Sequence, residues 1–244
     1  MTSWQSVAVS VFLYVAVNAK IPDYIKICKR SDPDISQCIL NSIEAIRPKL
    51  AEGIPELDIP AIEPLHMPEM VISRGGAFKA IGTNITVHGA SNFIIKALET
   101  DIDNIVYNAS LHFPLISFDA IYDVDAKILA MPLKGKGPIN ANASDIEGRA
   151  VIKGHKQVED GKTFVMFDEL KLKLKMKNYQ IRLENLFNGD KNLGEAVNAA
   201  LNENKKELMN FMRPRAEELA SKVLLERANK ITRHFEYDEL FPSD

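Results

Sequence analysis

Five histidines, two cysteines and one glycine loop ending in lysine and threonine are the parts of this chain whose types could carry catalysis, metal binding or phosphate binding. The histidines are His66, His88, His112, His155 and His234, and none falls in an HExxH or other metal-ligand spacing. No GxSxG elbow presents a nucleophilic serine. The stretch from Gly154 to Thr163 ends in Gly161-Lys162-Thr163, as a phosphate-binding loop does. Such a loop has a glycine five residues before Gly161, where Lys156 stands, and it leads into the N-terminus of a helix. This stretch leads into a strand pattern instead, so it reads as a hairpin turn. Cys28 and Cys38 are too few for a metal site, and no histidine lies near them. An enzyme needs a nucleophile, a base or a metal. The expectation is therefore a non-enzyme with no catalytic residue, no metal and no cofactor.

The elements that must position the remaining residues are legible from periodicity. The chain has 244 residues, 46% hydrophobic and 26% charged, which suits a folded protein with a sizeable core. Thirty basic residues against 33 acidic ones leave a net charge of −3 and no electrostatic reason to bind nucleic acid. Asp32-Pro33 reads as the start of a helix, and Ile35, Cys38, Ile39, Ile43, Ile46 and Leu50 form its apolar face. Pro48 should bend or end it, and Gly53 closes it. Three prolines make residues 54–65 an extended connector.

From about Phe78 to Lys177 the period is two. Strands are expected near 77–88, 91–102, 104–113, 116–131, 136–143, 145–154 and 163–177. Short turns between them favour an antiparallel meander. In Lys171-Leu172-Lys173-Leu174-Lys175-Met176-Lys177 the apolar side chains face a core and the lysines face water. The same lysines offer a second reading, contact with an anionic membrane or partner.

Between Asn192 and Phe235 apolar residues recur mostly at three- and four-residue steps, which is a helix, and Pro214 should kink it. A continuous helix of that length reaches roughly 60 Å and must lie along something equally long. The sheet, apolar on one face, is the candidate.

Residues 1–19 carry no charged side chain, and Val7–Val17 is about as long as the apolar region of a signal peptide. Val17-Asn18-Ala19 supplies small residues for cleavage before Lys20, so a single mature domain is expected over 20–244. In that oxidising setting Cys28 and Cys38 are expected to form one disulfide. Three N-x-[ST] sequons place acceptors at Asn84, Asn108 and Asn142, each on the polar side of its strand.

The order of several motifs then carries a resemblance. Pro22, Cys28, Ser31-Asp32, Cys38, Arg47-Pro48, Gly53-Ile54-Pro55-Glu56-Leu57 and Pro64-Leu65 are followed by Phe78, Gly89, Phe93 and Tyr122. The stretch from Asn185 to Gly194 (NLFNGDKNLG), then Leu201-Asn202-Glu203-Asn204 and the tail from Phe235 to Pro242, complete the pattern. The chain resembles the insect juvenile-hormone-binding protein and takeout family over essentially the whole mature sequence. Its two cysteines resemble the takeout branch, which keeps the N-terminal bridge alone.

The resemblance implies an α+β fold of the tubular lipid-binding type. In it a long C-terminal helix is wrapped by a highly curved antiparallel sheet, with a short N-terminal helix. It also implies an internal tunnel for a hydrophobic ligand: juvenile hormone, a related terpenoid or a fatty-acid-like lipid. The apolar faces nominate Ile81, Ile85, Phe118, Tyr122, Val124, Phe164, Met166, Leu172 and Leu174 from the sheet as lining. Val197, Leu201, Leu208 and Met212 are nominated from the helix. Tyr122 is the expected polar contact, because a buried phenol wants a partner. The Asn185–Asp190 motif is expected to be structural, with Asp190 capping the following helix. The expected protein is thus a secreted monomeric carrier in haemolymph or another extracellular fluid. The alternative is a secreted interaction protein with a filled core and a protein partner.

Overall fold

The computed structural model describes residues 21–75, 78–128 and 131–243. The leader over 1–19 and the cleavage before Lys20 lie outside the described residues. Helix α1 spans Ile35–Glu52. It starts two residues later than Asp32-Pro33 implied and passes through Pro48 to a stop at Gly53. Gly53 has φ 91°, and a Cβ there would lie 2.8 Å from the backbone nitrogen of Ala61, so glycine alone fits.

Among the described residues six strands follow: β1 Leu65–Gly75, β2 Phe78–His88, β3 Ile94–Asp101, β4 Val106–Ile128, β5 Met131–Glu159 and β6 Lys162–Leu183. They form one antiparallel sheet in the order β1-β2-β4-β5-β6. Strand β3 pairs with the first part of β4, and β2 pairs with the second part. Strand β1 was not anticipated, and the runs 104–113 and 116–131 fuse into β4, as 136–143 and 145–154 fuse into β5.

A flat 29-residue strand would reach roughly 95 Å, well beyond the roughly 60 Å that a continuous C-terminal helix would span. The sheet curls instead. Apolar inner positions on β4 run through Tyr107, Ala109, Leu111 and Phe113, then resume at Ile116, Phe118, Ala120 and Tyr122. The slip falls at Pro114-Leu115 on β4 and opposite it at Ser144-Asp145 on β5, where Asp145 has φ 52°. Both strands change phase together, so their pairing continues while the ribbon bends.

The C-terminal segment consists of α2 Lys191–Glu203, α3 Lys205–Thr232 and the short α4 Tyr237–Leu240. The break comes at Asn204, and Pro214 lies inside α3. Asp190 caps α2 by accepting the Leu193 N–H at 3.0 Å.

The core is divided along the long axis. One end gathers Tyr122, Val124, Leu133, Leu183, Leu186, Val197, Leu201 and Leu208. The other gathers Cys28, Ile39, Ile102, Ile105, Val165, Tyr237 and Phe241, with a neighbouring cluster around Ile54, Leu57 and Phe235. The middle holds the small buried group Ala150, Leu170 and Leu172.

Candidate functional site

Strand β6 ends the β1-β2-β4-β5-β6 path, so its outer backbone groups need partners from elsewhere. The helices supply them from side chains at four-residue spacing. Asn198 accepts the Leu183 N–H and donates to the Leu183 carbonyl, both at 2.9 Å. Asn202 does the same for Ile181, at 3.0 and 2.7 Å. On α3, Glu217 accepts the Leu174 N–H at 2.8 Å and Ser221 accepts that of Leu172 at 3.2 Å. Asn229 accepts from Phe167 N–H at 2.8 Å and donates to the Phe167 carbonyl at 2.9 Å. A carboxamide carries both a donor and an acceptor, so it can replace a strand residue. Periodicity read the apolar stripe of the helix and missed this polar one. Its signal is the pairs Asn198/Asn202 and Glu217/Ser221, each one turn apart.

A helix fastened along an edge does not lie flat across the sheet. Helix α3 packs chiefly on β6, and of its residues Leu208 and Glu217 are buried. The inner face is apolar but in places only partly covered. Leu111, Phe113 and Phe118 of β4 and Leu174 and Met176 of β6 are half-buried, as is Met212 of α3.

Strand pairing shows where each nominated lining residue lies, because paired residues share a face. Tyr122 and Val124 are buried on the inner face with Leu183, Val197, Leu201 and Leu208, and Met212 packs against them. Phe118 is on the same face, paired with Val87 and Ala141. Leu172 and Leu174 face the middle of the molecule, toward Ala220 and Leu225 of α3. Ile85 is 1% exposed and adjoins Gly82, which pairs with Tyr122.

Three residues point elsewhere, and β-bulges are the reason. Ile81 pairs with Asp123 and Val71, on the face opposite Ala80 and Gly82. An irregularity between Thr83 and Thr86, with Asn84 at φ 52°, changes the phase before Ile85. Phe164 and Met166 alternate with Val165, which is in the core, and with Phe167, which packs against it. The register slips where Gly154 meets Phe167, so the even-numbered phase of Leu172 and Leu174 does not extend back to Phe164.

Tyr122 lies on the inner face, and its hydroxyl is occupied within the chain. It donates to the Glu184 carbonyl at 2.5 Å, and burial pushes its pKa up to about 12. Gly135 and Gly137 let the Glu184–Leu186 segment come this close. A Cβ on Gly137 would sit 2.5 Å from the Glu184 carbonyl oxygen. Asn185 fastens the same segment by donating to the Lys136 carbonyl at 2.8 Å. The Asn185–Asp190 motif thus acts as a latch at this end.

The far end is closed by α1, α4 and the Cys28–Cys38 disulfide. Thr100 of β3 donates its N–H to Ser36 of α1 at 3.0 Å, and Tyr237 of α4 donates to the Ile102 carbonyl at 3.3 Å. Tyr107 lies here on the inner face, edge-on to Phe167 with ring centres 5.8 Å apart. Burial raises its pKa, with the nearby Tyr237 adding to the effect. Tyr107 was not among the nominated residues, although it shares the apolar phase of Leu111 and Phe113.

On the outer face, Asn84, Asn108 and Asn142 are exposed. Lys171, Lys173, Lys175 and Lys177 are exposed as well; Lys171 pairs with Glu169 at 2.7 Å and Lys173 with Glu217 at 3.0 Å. Two open surface depressions of about 530 and 490 Å³ flank the N-terminal segment, around Lys26, Gln37 and Asn41 and around Ile21, Pro22 and Ile25. Among the described residues no cluster of His, Cys, Asp or Glu could hold a metal ion, and no helix is long and apolar enough to cross a membrane.

A curled antiparallel half-barrel with helices along one edge and an apolar inner face defines an elongated α+β protein of the takeout fold. The chain belongs to the haemolymph juvenile hormone binding protein family, whose model matches residues 7–242. It is 26% identical over 234 residues to the circadian clock-controlled protein daywake of Drosophila melanogaster, covering 91% of this chain and 89% of that one. It is 22% identical over 214 residues to a Schistocerca gregaria protein whose name proposes beta-carotene binding, covering 87% and 86%. The crystal structure of Epiphyas postvittana Takeout 1 superposes with a TM-score of 0.78 at 20% identity, over 89% of this chain and all of that one.

Proposed function

We propose that this chain is a secreted carrier, without enzymatic activity, that holds a small hydrophobic ligand between the inner face of the sheet and the α2–α3 segment. One observation carries the reading. The inner face is apolar along its length and closed by packed clusters at both ends; between them Ile146, Ala150, Leu170 and Leu172 are buried, while Leu111, Phe113, Phe118, Leu174 and Met176 are only half-buried. Exposed apolar surface inside a closed-ended half-barrel is what an apolar guest would cover. Membership in a family named for juvenile hormone binding, and a relative named for beta-carotene, support the ligand class.

Magnitudes agree with a carrier. A guest of about 15 carbons gains on the order of 10 kcal/mol at roughly 0.8 kcal/mol per buried methylene. Association costs at least about 4 kcal/mol. Apolar burial alone then supports binding in the tens of micromolar, and tighter binding needs a polar contact. In this reading residues 1–19 are a cleaved leader, Asn84, Asn108 and Asn142 carry glycans, and the mature protein is a monomer.

The test is organic extraction and mass spectrometry of the protein purified from an insect secretion system, followed by titration with a fluorescent fatty acid. A stoichiometric apolar molecule, or saturable displacement of the probe, is the expected result. Protein that is empty and also refuses the fatty acid overturns the carrier reading and favours a filled core with a protein partner.

A further inference from the structure

The outer face of the sheet carries one arrangement that a carrier does not need. From Lys171 to Lys177 every outward position of β6 is lysine, and all four lysines are exposed. A water-facing strand position needs polarity, not one sign of charge, and uncharged threonine suits a strand better. The pattern continues across the pairing. Arg149 of β5 is exposed and stands directly opposite Lys173. Like charges directly opposite on one face of a sheet are destabilising, so this pair calls for an explanation.

The chain's own carboxylates do not neutralise the cluster. Glu169 meets Lys171 at 2.7 Å, and the buried Glu217 meets Lys173 at 3.0 Å. Glu147 lies opposite Lys175, but its carboxylate is 3.0 Å from Lys96 and 3.3 Å from His112. Among the described residues no carboxylate forms an ion pair with Arg149, Lys175 or Lys177, and the other cross-strand neighbour of Arg149 is Ser110. On a chain whose net charge is −3 this is a local segregation of cations, not the by-product of a basic protein.

We propose that Lys171, Lys173, Lys175, Lys177 and Arg149 form a docking surface for a sulfated polysaccharide of the glycosaminoglycan type. Clustered cations attract such chains. On an extended strand the lysines recur in a line about every 7 Å, which suits a linear polyanion with acidic groups at regular intervals. A bilayer fits this face worse. The outer side of a curled sheet is convex, and the row offers no apolar side chain to enter hydrocarbon. Asn108 pairs with Val151, which pairs with Lys171, so a glycan there stands on the same face, two strands or about 10 Å away. That leaves room for a chain lying along β6 and holds off a plane. The proposal rests on secretion, as read above, and is independent of what the inner face holds.

The experiment titrates the glycosylated, disulfide-bonded protein with a heparin octasaccharide by calorimetry, at about 0.05 M and about 0.15 M salt. Saturable binding that weakens at the higher salt is expected. In the double variant Arg149→Gln with Lys175→Gln, which breaks no ion pair, affinity should fall about tenfold. Lys29→Gln with Lys127→Gln removes two exposed cations outside the cluster and should change affinity by less than about twofold. No binding of heparin at the lower salt, or equal losses in the two double variants, overturns the proposal. Binding to phosphatidylserine vesicles with none to heparin overturns it in favour of a membrane. In each case the carrier reading stands, because its own test reads the inner face.

Discussion

Tyr122 and Tyr107 sit on the same strand and the same inner face, near its opposite ends, and the chain uses them differently. Around Tyr122 the chain spends its hydrogen bonds on itself. The phenol holds Glu184, Asn185 holds Lys136, and Asn198 holds both backbone groups of Leu183. Around Tyr107 the end wall is closed by packed apolar side chains and a disulfide, with hydrogen bonds from Thr100 to Ser36 and from Tyr237 to the Ile102 carbonyl beside them. Hydrogen bonds satisfied within the chain make a latch. Apolar packing tied by one covalent bridge makes an end wall.

The largest expected effect lies at the latch. Asn198→Ala removes both partners of Leu183 in a buried setting, and each orphaned backbone group costs about 1–3 kcal/mol. A loss of about 3 kcal/mol in urea unfolding is expected. Asn202→Ala should cost less, because Asn202 is only half-buried and water can reach the freed groups. The reverse order would break the distinction between a dry latch and a wetter helix edge.

Next comes the far end. Replacing Cys28 and Cys38 together by serine opens a loop of sequence separation 10, for which chain entropy gives about 2–3 kcal/mol. Amide exchange should speed up in α1 before it does in α2. Equal acceleration at both ends would mean that they unfold as one unit.

A smaller pair of effects compares the phenols directly. Tyr122→Phe strands the Glu184 carbonyl and should cost about 1 kcal/mol, whereas Tyr107→Phe removes no bond and should change stability by less than about 0.5 kcal/mol. Matching thermal shifts for the two variants would remove the contrast.

The smallest effect is on pH. His234 stands at the α1 end, its Nε2 3.3 Å from the Leu57 carbonyl oxygen. Burial, and then the charge of Arg233, hold its pKa below 6.5. The unfolded chain therefore takes up a proton first as pH falls through 6.5, and the fold loses that part of its stability on the acid side. His234→Gln should flatten the stability profile there. An unaltered profile would show that another group controls it.

Periodicity carried the sheet and both helical regions, because burial on one face repeats every two or 3.6 residues. It failed where the period breaks without a breaker residue. Nothing in Asn84 or in the Phe167–Asp168 step announces a bulge, so Ile81, Phe164 and Met166 were given the wrong face and Val165 and Phe167 were passed over. Pro114 read as the end of a strand, yet it sits at a coordinated slip in β4 and β5 that pairing tolerates. Pro68 within Leu65–Gly75 similarly disguised β1. Tyr122 was found by its apolar phase, but its occupancy by Glu184 depends on a segment 62 residues away, bridged by two glycines.

The side-chain ladder on β6 has one more consequence. A long strand with bare backbone groups is a template on which other chains add strands and aggregate. Asn198, Asn202, Glu217, Ser221 and Asn229 cover that template while β6 itself stays extended. The helix is thus a guard as well as a wall. A chain cut before α2 should be recovered as insoluble β-rich material, however well its strands pair.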